Sequence, residues 1–411
     1  MALVKGPLHS EQARGQLGKQ LIYQQRQTRS IVKRYAVPGN EPTAPQTAVR
    51  AETKLLTRLW PTLHQQAQAT WHALAAERDS TRIAVFMQEN WKRHIQTLQP
   101  TLVWPPDKWT ERRPAGDIDA AWQTIACNPD ATTIIAGYAP GRLYISHDYG
   151  ATWAETQPAG TGTKFWYATA TDSTGQKLFA AVYNGRAYLS TNGGASWTET
   201  QPKDANNHQW LTIACNADAT YLAAGYNNGR LYTSSDSGAH WAEVRPAGDT
   251  NQIWKRTAYN AAGSILLAAT YAKRLWKSTD NGANWTELRP HGDADLLWGA
   301  IALSATGDKM IAGHDNGRLF LSANYGATWT ETQPLGDANQ AYFCAACSAD
   351  GERIIVGSDN GPLFLSNDFG LHWTTPTPTA VTQPKWDSVA CDATGTILLA
   401  GYDPGRLYTS P

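Results

Sequence analysis

Beyond position 108, short runs of hydrophobic residues alternate with polar turns, and this whole pattern repeats every 44 residues. The first unit predicts four short strands, over residues 122–127, 133–138, 142–146 and 153–157. These strands are apolar on both faces, as expected of a sheet that packs between two other sheets. Pro158 ends the fourth strand because proline cannot donate a hydrogen bond to a ladder. A four-stranded repeat of about 40–45 residues is typical of a β-propeller blade.

Three series of residues keep the 44-residue step. One opens the fourth strand, with Trp109, Trp153, Trp197, Trp241, Trp285, Trp329 and Trp373. The second opens the first strand, with Trp122, Trp166, Trp210, Trp254, Trp298, Tyr342 and Trp386. The third is a Gly-Arg pair before the third strand, with Arg142, Arg186, Arg230, Arg318 and Arg406. It departs only at Lys273-Arg274 and at Gly361-Pro362. Such regularity predicts equivalent blades around one axis.

The length of the repeat region predicts seven blades and the way in which they close. Seven repeats of 44 need 308 residues, and the segment 109–411 supplies 303. The tryptophan that the last repeat lacks at its end is supplied by Trp109, whose neighbours copy the fourth-strand sequence. We therefore expect strand 109–113 to complete the last blade and to remove the two free edges of an open sheet.

Between the third and fourth strands the chain repeats the pattern Ser-x-Asp/Asn-x-Gly-x-x-Trp. The acidic or amide residues of its six copies are Asp148, Asn192, Asp236, Asp280, Asn324 and Asp368. This motif resembles the Asp-box, or BNR repeat, of sialidase-like propellers, and the resemblance covers about residues 104–411. A short acceptor side chain holds the amides of a tight turn, and the glycine permits positive φ. We interpret these residues as structural.

The resemblance implies what an enzyme of this fold would need, and the repeats do not provide it. Sialidases of this type place an arginine triad, a tyrosine nucleophile with a carboxylate partner and an aspartate acid on different blades. Here the blades share one length and nearly one sequence, so we predict no catalytic residues and no cofactor. Asparagine in two of the six Asp-box copies argues against a metal ion, because the carboxylate is dispensable.

The cysteines also fit a structural role. Cys127, Cys215, Cys347 and Cys391 occupy one repeat position, which Thr171, Tyr259 and Leu303 fill in the other units. A position that accepts such different side chains is a packing site, so we predict inert thiols.

One face of the propeller is a candidate ligand-binding surface. In an up-and-down blade, the loops from strand two to three and from strand four to one lie opposite the Asp-box turns. This face gathers six arginines, Arg142, Arg186, Arg230, Arg274, Arg318 and Arg406, and the seven aromatic residues that open the first strands. Aromatic rings beside fork-shaped donors suit a sugar. The structural alternative is that each arginine packs over a tryptophan or pairs with a neighbouring loop.

Residues 1–100 lack the period and predict a separate, mainly helical domain. The pattern indicates a short hairpin within 20–36 and helices over 44–59, 61–77 and 80–97, followed by a proline-rich linker over 101–108. The segment faintly resembles a module of phage, prophage and environmental bacterial proteins of structural type. We expect it to mediate oligomerisation or attachment to a larger assembly.

Composition excludes several classes of partner. Lys+Arg and Asp+Glu both total 35, so no net charge favours nucleic acid or an anionic membrane. The chain has no run of about 18 apolar residues, so the sequence predicts no transmembrane helix. The first residues also lack the apolar stretch of a secretory signal. The sequence does not fix the location of the protein, and a cell-surface or virion-associated one fits.

Three functions are compatible with these patterns. The main hypothesis is a non-enzymatic surface or virion-type protein that is anchored by residues 1–100 and presents its propeller to a glycan or protein ligand. The alternative is an intracellular scaffold that resembles the seven-bladed Asp-box assembly factors of photosystem II, although their N-terminal signals are missing here. The third is a sialidase-like glycoside hydrolase. Near-identical repeats are equally typical of a designed or recently amplified propeller.

Overall fold

The computed structural model describes residues 109–410, except 316, 380 and the side chains of 272 and 337, and the backbone of three short strands nearer the N terminus. The chain divides into two compact units between Pro106 and Asp107. In these described residues no helix occurs, and so none that could cross a membrane. The predicted helices 44–59, 61–77 and 80–97 and the linker 101–108 lie outside the described residues.

The strands of the first unit form one antiparallel sheet in the order β1-β2-β3. They are β1 (Gly15–Leu17), β2 (Leu21–Arg26) and β3 (Arg29–Arg34). The pairing of β2 with β3 runs from Leu21 opposite Arg34 to Arg26 opposite Arg29. Both strands fall within the segment 20–36, for which the sequence indicates a hairpin.

The second unit begins with β4 (Thr110–Arg112) and continues in successive antiparallel groups of strands. The first group is β5 (Trp122–Cys127), β6 (Ile134–Tyr138), β7 (Leu143–Ser146) and β8 (Ala154–Thr156). The second is β9 (Trp166–Thr171), β10 (Leu178–Gly185), β11 (Ala187–Ser190) and β12 (Thr198–Thr200). The third is β13 (His208–Cys215), β14 (Leu222–Tyr226), β15 (Leu231–Ser234) and β16 (Ala242–Val244).

The remaining groups follow the same order. The fourth is β17 (Trp254–Tyr259), β18 (Leu266–Lys273), β19 (Leu275–Ser278) and β20 (Thr286–Leu288). The fifth is β21 (Leu296–Leu303), β22 (Met310–His314), β23 (Leu319–Ser322) and β24 (Thr330–Thr332), and β25 (Pro334–Asp337) follows it. The sixth is β26 (Tyr342–Cys347), β27 (Ile354–Ser358) and β28 (Leu363–Ser366). The last is β29 (Lys385–Cys391), β30 (Leu398–Asp403) and β31 (Leu407–Thr409).

The groups are arranged in a closed ring. The first strand of each group lies beside the first strand of the next, and β29 lies beside β5. Backbone hydrogen bonds between the turns that follow these strands run in the same direction, beginning with the amide of Ser173 and the carbonyl of Ala217 at 2.7 Å. The last link joins the amide of Ala393 to the carbonyl of Pro129 at 2.6 Å. Pro129 has no amide hydrogen, so it can only accept in this series.

Buried aromatic residues pack the groups against one another. The aromatic residue that opens each first strand is 1–2% exposed. A small residue in the second strand of the preceding group makes room for it: glycine in five groups, and Ala181 and Ala269 in the other two. A Cβ at Gly137, for example, would lie 2.6 Å from the Cβ of Trp166. At the closure, a Cβ at Gly401 would lie 2.8 Å from the Cβ of Trp122. The core therefore lies between the sheets, as the two-sided apolar strands predict.

The ring closes where the sequence analysis places the closure. Strand β4 pairs with β31, with Glu111 opposite Tyr408 and Thr110 opposite Thr409. The Nε of Arg112 also donates to the Oγ1 of Thr409 at 2.9 Å. The last sheet thus has four strands, of which the outer one comes from the beginning of the repeat region.

The sixth group departs from the predicted four-stranded unit. Its fourth strand is reduced to a single bridge between Leu365 and Thr374. Pro376 stands where the other repeats have a residue with an amide hydrogen, and proline cannot donate to the ladder.

Two truncations test the contribution of β4. We expect a chain without residues 1–113 to unfold at a temperature several degrees below that of a chain without residues 1–106, because it loses a strand pairing and the packing of Trp109 against the last sheet. In a domain of this size each kcal/mol corresponds to about 2–4 °C. Thermal unfolding followed by circular dichroism measures the difference. Equal melting temperatures would show that β4 does not hold the ring closed.

Candidate functional site at the channel mouth

Each first strand carries a β-bulge directly after its opening aromatic residue. Trp122 pairs with Tyr138 and Thr124 pairs with Gly137, so Gln123 has no partner on the neighbouring strand. The same register break recurs in every group, and the bulged residues are Gln123, Tyr167, Leu211, Lys255, Gly299, Phe343 and Asp387. A bulge re-aims a side chain, and bulges are frequent beside functional sites. We call these seven residues the mouth ring.

The mouth ring is the position at which the repeats differ most in chemistry. The residue before it is always Trp or Tyr, whereas its own members are amide, aromatic, aliphatic, basic, acidic and glycine. The sequence analysis missed this position, although the signal stands in the sequence directly after each periodic aromatic residue. Because the first strands adjoin one another in a ring, the mouth ring surrounds the axis near the end at which these strands begin.

A second set of variable residues lies outside the mouth ring, where the second strands end. We call these residues the rim: Tyr183, Asn227, Tyr271, Asp315, Asp359 and Asp403. Members from adjacent groups touch, since the Nδ2 of Asn227 lies 3.4 Å from the Oη of Tyr183. The Oη of Tyr271 likewise lies 3.4 Å from the Oδ2 of Asp315. The rim and the mouth ring also meet, because the rings of Tyr167 and Tyr183 are 5.0 Å apart.

Asp387 is the buried carboxylate of the mouth ring, with a side chain only 1% exposed. Its Oδ2 accepts a hydrogen bond from the Nε2 of Gln123 at 2.8 Å. The Nζ of Lys385 lies 3.0 Å from its Oδ1 and 3.4 Å from the Oδ2 of Asp403. Burial raises the pKa of Asp387, and the charge of Lys385 acts in the opposite direction. Burial by itself lowers the pKa of Lys385, but Asp387 and Asp403 outweigh it and the pKa is raised.

Two adjacent cations approach the axis from the fourth group. The Nζ of Lys255 lies 4.8 Å from the centre of the Phe343 ring, and burial, with help from Arg256, lowers the pKa of Lys255 to about 7. Arg256 donates from Nε to the carbonyl of Gly299 at 3.2 Å. Its Nη2 lies 3.2 Å from the carbonyl oxygen of Phe343 and 3.4 Å from that of Asp387. One guanidinium therefore connects three other first strands.

An axial cavity of about 150 Å³ is enclosed by the first strands. Four members of the mouth ring, Gln123, Tyr167, Leu211 and Asp387, line it together with Arg256. Its wall also carries hydroxyl groups, from Thr124, Thr169, Thr212, Thr257 and Ser388. This cavity combines charged and hydroxyl groups in a partly enclosed space, so it offers hydrogen-bond partners to a small polar molecule.

The six predicted arginines do not converge on one point. Each donates to backbone or side-chain oxygens of the loop that follows the fourth strand of its own sheet. The Nη1 of Arg230, for example, lies 2.9 Å from the carbonyl oxygen of Gly248, and the Nη1 of Arg274 lies 2.8 Å from that of Ala294. Arg186 pairs with Glu199 at 2.9 Å. Arg142 and Arg318 contact Glu155 and Glu331, and Arg406 contacts Asp117 and Asp119. Their donors thus fix the loops.

The predicted aromatic residues are enclosed between the sheets. At 1–2% exposure, Trp122, Trp166, Trp210, Trp254, Trp298, Tyr342 and Trp386 present no ring face to solvent. The Nε1 of Trp122 donates to the carbonyl of Gly405 at 3.2 Å, and that of Trp254 to the carbonyl of Gly229 at 3.1 Å. Both acceptors lie in the turn of the preceding group. A sugar could stack on these rings only after the sheets separate, so this geometry matches the structural alternative for the face.

The Asp-box residues hold tight turns on the opposite face. The Oδ1 of Asp148 accepts from the amide of Thr152 at 2.8 Å and from the Oγ of Ser146 at 2.8 Å. The Oδ1 of Asn192 takes the same two bonds, from Ser196 and Ser190, both at 2.9 Å. Asp236, Asp280, Asn324 and Asp368 repeat this arrangement. The turn therefore needs one side-chain oxygen, which Asp and Asn both supply.

Burial favours the protonated, less reactive form of the cysteine thiols. All five cysteines are free, and burial raises the pKa of Cys215, Cys344 and Cys347 to about 12. The Sγ of Cys215 points to the carbonyl of Thr171 at 3.2 Å. Within residues 109–410 as described, no group of three potential metal ligands occurs.

Substitution of Asp148 tests the role of its carboxylate. Hydrogen bonds from Thr152 lower the pKa of Asp148 to about 2, so its contribution to stability is complete above its ordinary pKa of 3.8 and is lost as the pH falls through about 2. We expect Asp148→Ala to lower the free energy of unfolding at pH 7 by about 1 kcal/mol, and this deficit to shrink near pH 2. Asp148→Asn should stay near the wild type at pH 7. Urea unfolding at both pH values measures this, and an equal loss in both variants would refute the one-oxygen interpretation.

We expect substitutions of Lys255 and Lys385 to change the stability of the protein in opposite directions. The pKa of Lys255 is about 7 in the folded state and has its ordinary value of 10.5 in the unfolded state. Its protonation therefore opposes folding, fully below pH 7 and progressively less between pH 7 and 10.5. We expect Lys255→Met to be more stable than the wild type at pH 6 and to lose this advantage between pH 7 and 10.5. Lys385→Met, the matched control, should be less stable over that range, because the pKa of Lys385 is raised. Chemical unfolding at pH 6, 8 and 10 distinguishes the two, and parallel profiles would contradict this account.

Comparisons with known proteins support the fold. No protein-family model and no curated protein matches the chain. A solved structure described as YCF48 bound to D1 peptide superposes with a TM-score of 0.58 at 14% identity, over 75% of this chain and 98% of that one. YCF48 from Cyanidioschyzon merolae gives 0.57 at 12% identity, over 74% and 98%. A GH74 xyloglucanase from Xanthomonas campestris gives 0.58 at 16% identity, over 74% of this chain and 53% of that one. The described part of the chain is therefore a mainly β protein with the fold of a β-propeller.

Proposed function

We propose that this chain is a non-enzymatic binding protein whose propeller holds an extended peptide segment of a protein partner at the mouth ring and the rim. The observation that supports this proposal most is a contrast between two sets of positions. The residues that repeat nearly unchanged from blade to blade, which we call the frame, differ from the variable residues of the mouth ring and the rim. The frame positions are buried or engaged in hydrogen bonds, whereas the bulged residues and the rim give this one surface a chemistry of its own.

The surface chemistry favours a peptide with apolar and basic side chains. Tyr167, Tyr183 and Tyr271 offer half-buried rings, which are common anchors at protein interfaces because they bury a large area at low entropic cost. Asp315, Asp359 and Asp403 form an acidic arc on neighbouring groups. The Oδ1 of Asp359 is buried without a hydrogen-bond donor among the described residues. A basic side chain of the partner would satisfy that oxygen.

The structural neighbours support a protein ligand more than a glycan. One of them is described as bound to a D1 peptide. The alternative of a scaffold that assists a protein assembly therefore fits better than the surface or virion hypothesis. The sugar-binding hypothesis depended on exposed tryptophans, and those rings are enclosed.

We also propose the finer features of the architecture. The 44-residue period and the closed order of first strands support seven blades, and the hydrogen-bonded Asp-box turns support membership of the sialidase-like, or BNR-repeat, class. The absence of catalytic activity is part of the proposal, since each arginine of the predicted face is bound to its own loop. Residues 1–100 remain our candidate for oligomerisation or attachment.

Selection from a displayed peptide library tests the proposed surface. We expect the full chain to select peptides that share basic and apolar positions. Their affinity should fall about tenfold or more in Tyr183→Ala, because aromatic anchors typically cost over about 1 kcal/mol on truncation. Asp403→Asn should weaken the same peptides and reduce their salt dependence. Isothermal titration calorimetry measures each affinity.

Tyr325→Ala is the matched control, because Tyr325 is 49% exposed and lies in an Asp-box turn on the opposite face. It should leave the affinities unchanged. Peptides that bind Tyr183→Ala as well as the wild type, or that lose affinity for Tyr325→Ala instead, would place the binding surface elsewhere. Failure to select any peptide would argue against the function itself.

A further inference from the structure

The axial cavity contains two buried charges of opposite sign, each with an atom that forms no hydrogen bond. The Oδ1 of Asp387 is buried and accepts no hydrogen bond; the ammonium of Lys385 lies 3.0 Å from it in ion-pair contact and donates its hydrogen bond to Oδ2 at 3.1 Å. Among the described residues, the Nη1 of Arg256 donates no hydrogen bond, while Nε and Nη2 are engaged. Both residues line the cavity. Unused groups on buried charges are rare, because their desolvation is costly.

We propose that the axial cavity binds a small zwitterion of the α-amino acid type, with its carboxylate at Arg256 and its ammonium at Asp387. A guanidinium recognises a carboxylate through charge-assisted hydrogen bonds, and a carboxylate accepts them from an ammonium group. The Nη2 of Arg256 lies 3.4 Å from the backbone oxygen of Asp387, so the two residues are close enough for one small molecule to reach both.

The remaining wall suits the body of such a ligand. The hydroxyls of Thr124 and Thr169 lie 2.8 Å apart, and so do those of Thr212 and Thr257. Each hydroxyl has a further lone pair for a polar ligand. Ile125, Ala168, Ile213 and Val389 add apolar surface for a short side chain.

The size of the cavity selects small molecules. A cavity of about 150 Å³ accommodates benzene in a well-studied apolar case, so the present cavity of about 150 Å³ has room for glycine, alanine or serine. Gln123 and Tyr167 remain partly exposed at the mouth ring, so a ligand can enter beside them. The cavity shares Gln123, Tyr167, Leu211 and Asp387 with the mouth ring, but no rim residue lines it, so substitutions at the rim separate this site from the peptide surface.

The test is a thermal-shift and calorimetric titration of the full chain with glycine, alanine and serine. Propionate and propylammonium carry one of the two charges each, and glycine betaine carries both but has no N–H donor. We expect the three amino acids to raise the melting temperature in a saturable way at millimolar concentration. The three comparison compounds should give at least tenfold weaker binding. No binding of any amino acid, or an equal response to the singly charged compounds, would overturn the proposal.

Two matched substitutions separate this site from the peptide surface. Asp387→Asn keeps the shape but removes the charge, and we expect it to weaken amino-acid binding at least tenfold. Asp359→Asn makes the same change at a rim carboxylate that does not line the cavity and forms no ion pair with Lys385 among the described residues, and it should alter amino-acid binding less than twofold while it weakens selected peptides. Should Asp387→Asn fail to fold, the wild-type comparison of charged compounds still decides. Unchanged binding in a folded Asp387→Asn would contradict the assignment.

Discussion

The propeller depends on one packing contact that recurs between neighbouring blades, in which a large aromatic residue packs against a glycine or, at Ala181 and Ala269, an alanine of the preceding blade. Each aromatic ring buries about 150–250 Å², which corresponds to about 4–6 kcal/mol at the usual coefficient and is an upper bound. A Cβ at Gly225 would lie 2.5 Å from the Cβ of Trp254, so the second strand tolerates no side chain there. This contact limits how far apart neighbouring blades can lie.

The same contact creates the functional surface. Because the aromatic residue is held between two sheets, the chain continues with a bulge, and the bulged residue is released from the ladder. Its side chain therefore has no partner on the neighbouring strand and points toward the axis, where its neighbours are other members of the mouth ring rather than the repeated residues of the frame. The propeller can vary this position from lysine to glycine without altering the blades. Where Gly299 occupies it, the closeness of the Tyr342 carbonyl, 2.6 Å from a hypothetical Cβ, leaves space only for hydrogen.

Sequence periodicity predicts most of the frame and little of the site. The first strand is predicted over 122–127 and observed as Trp122–Cys127, and the pairing of Thr110–Arg112 with the last blade follows from the overlap of repeats. The reduced fourth strand of the sixth group can be predicted from Pro376, which cannot donate to a ladder. The sequence analysis missed it because the positions around Pro376 keep the 44-residue period. Topology predicts that the arginines share one face but leaves their role open between ligand contact and structural pairing, whereas the acceptors of Arg230 in its own loop appear only in three dimensions.

The charges at the axis are not required by the frame. At the position of Arg256 the other repeats have small residues, Thr124, Ala168, Thr212, Ala300, Cys344 and Ser388, and each still forms a first strand that pairs with its second strand. Replacing a buried ion pair by neutral residues is often neutral or stabilising. At this position Arg256 is the only arginine among the equivalent residues, and it connects three other first strands through its donors. The proposed amino-acid site gives Arg256 and Asp387 a role beyond that connection, at a place beside the variable residues of the mouth ring.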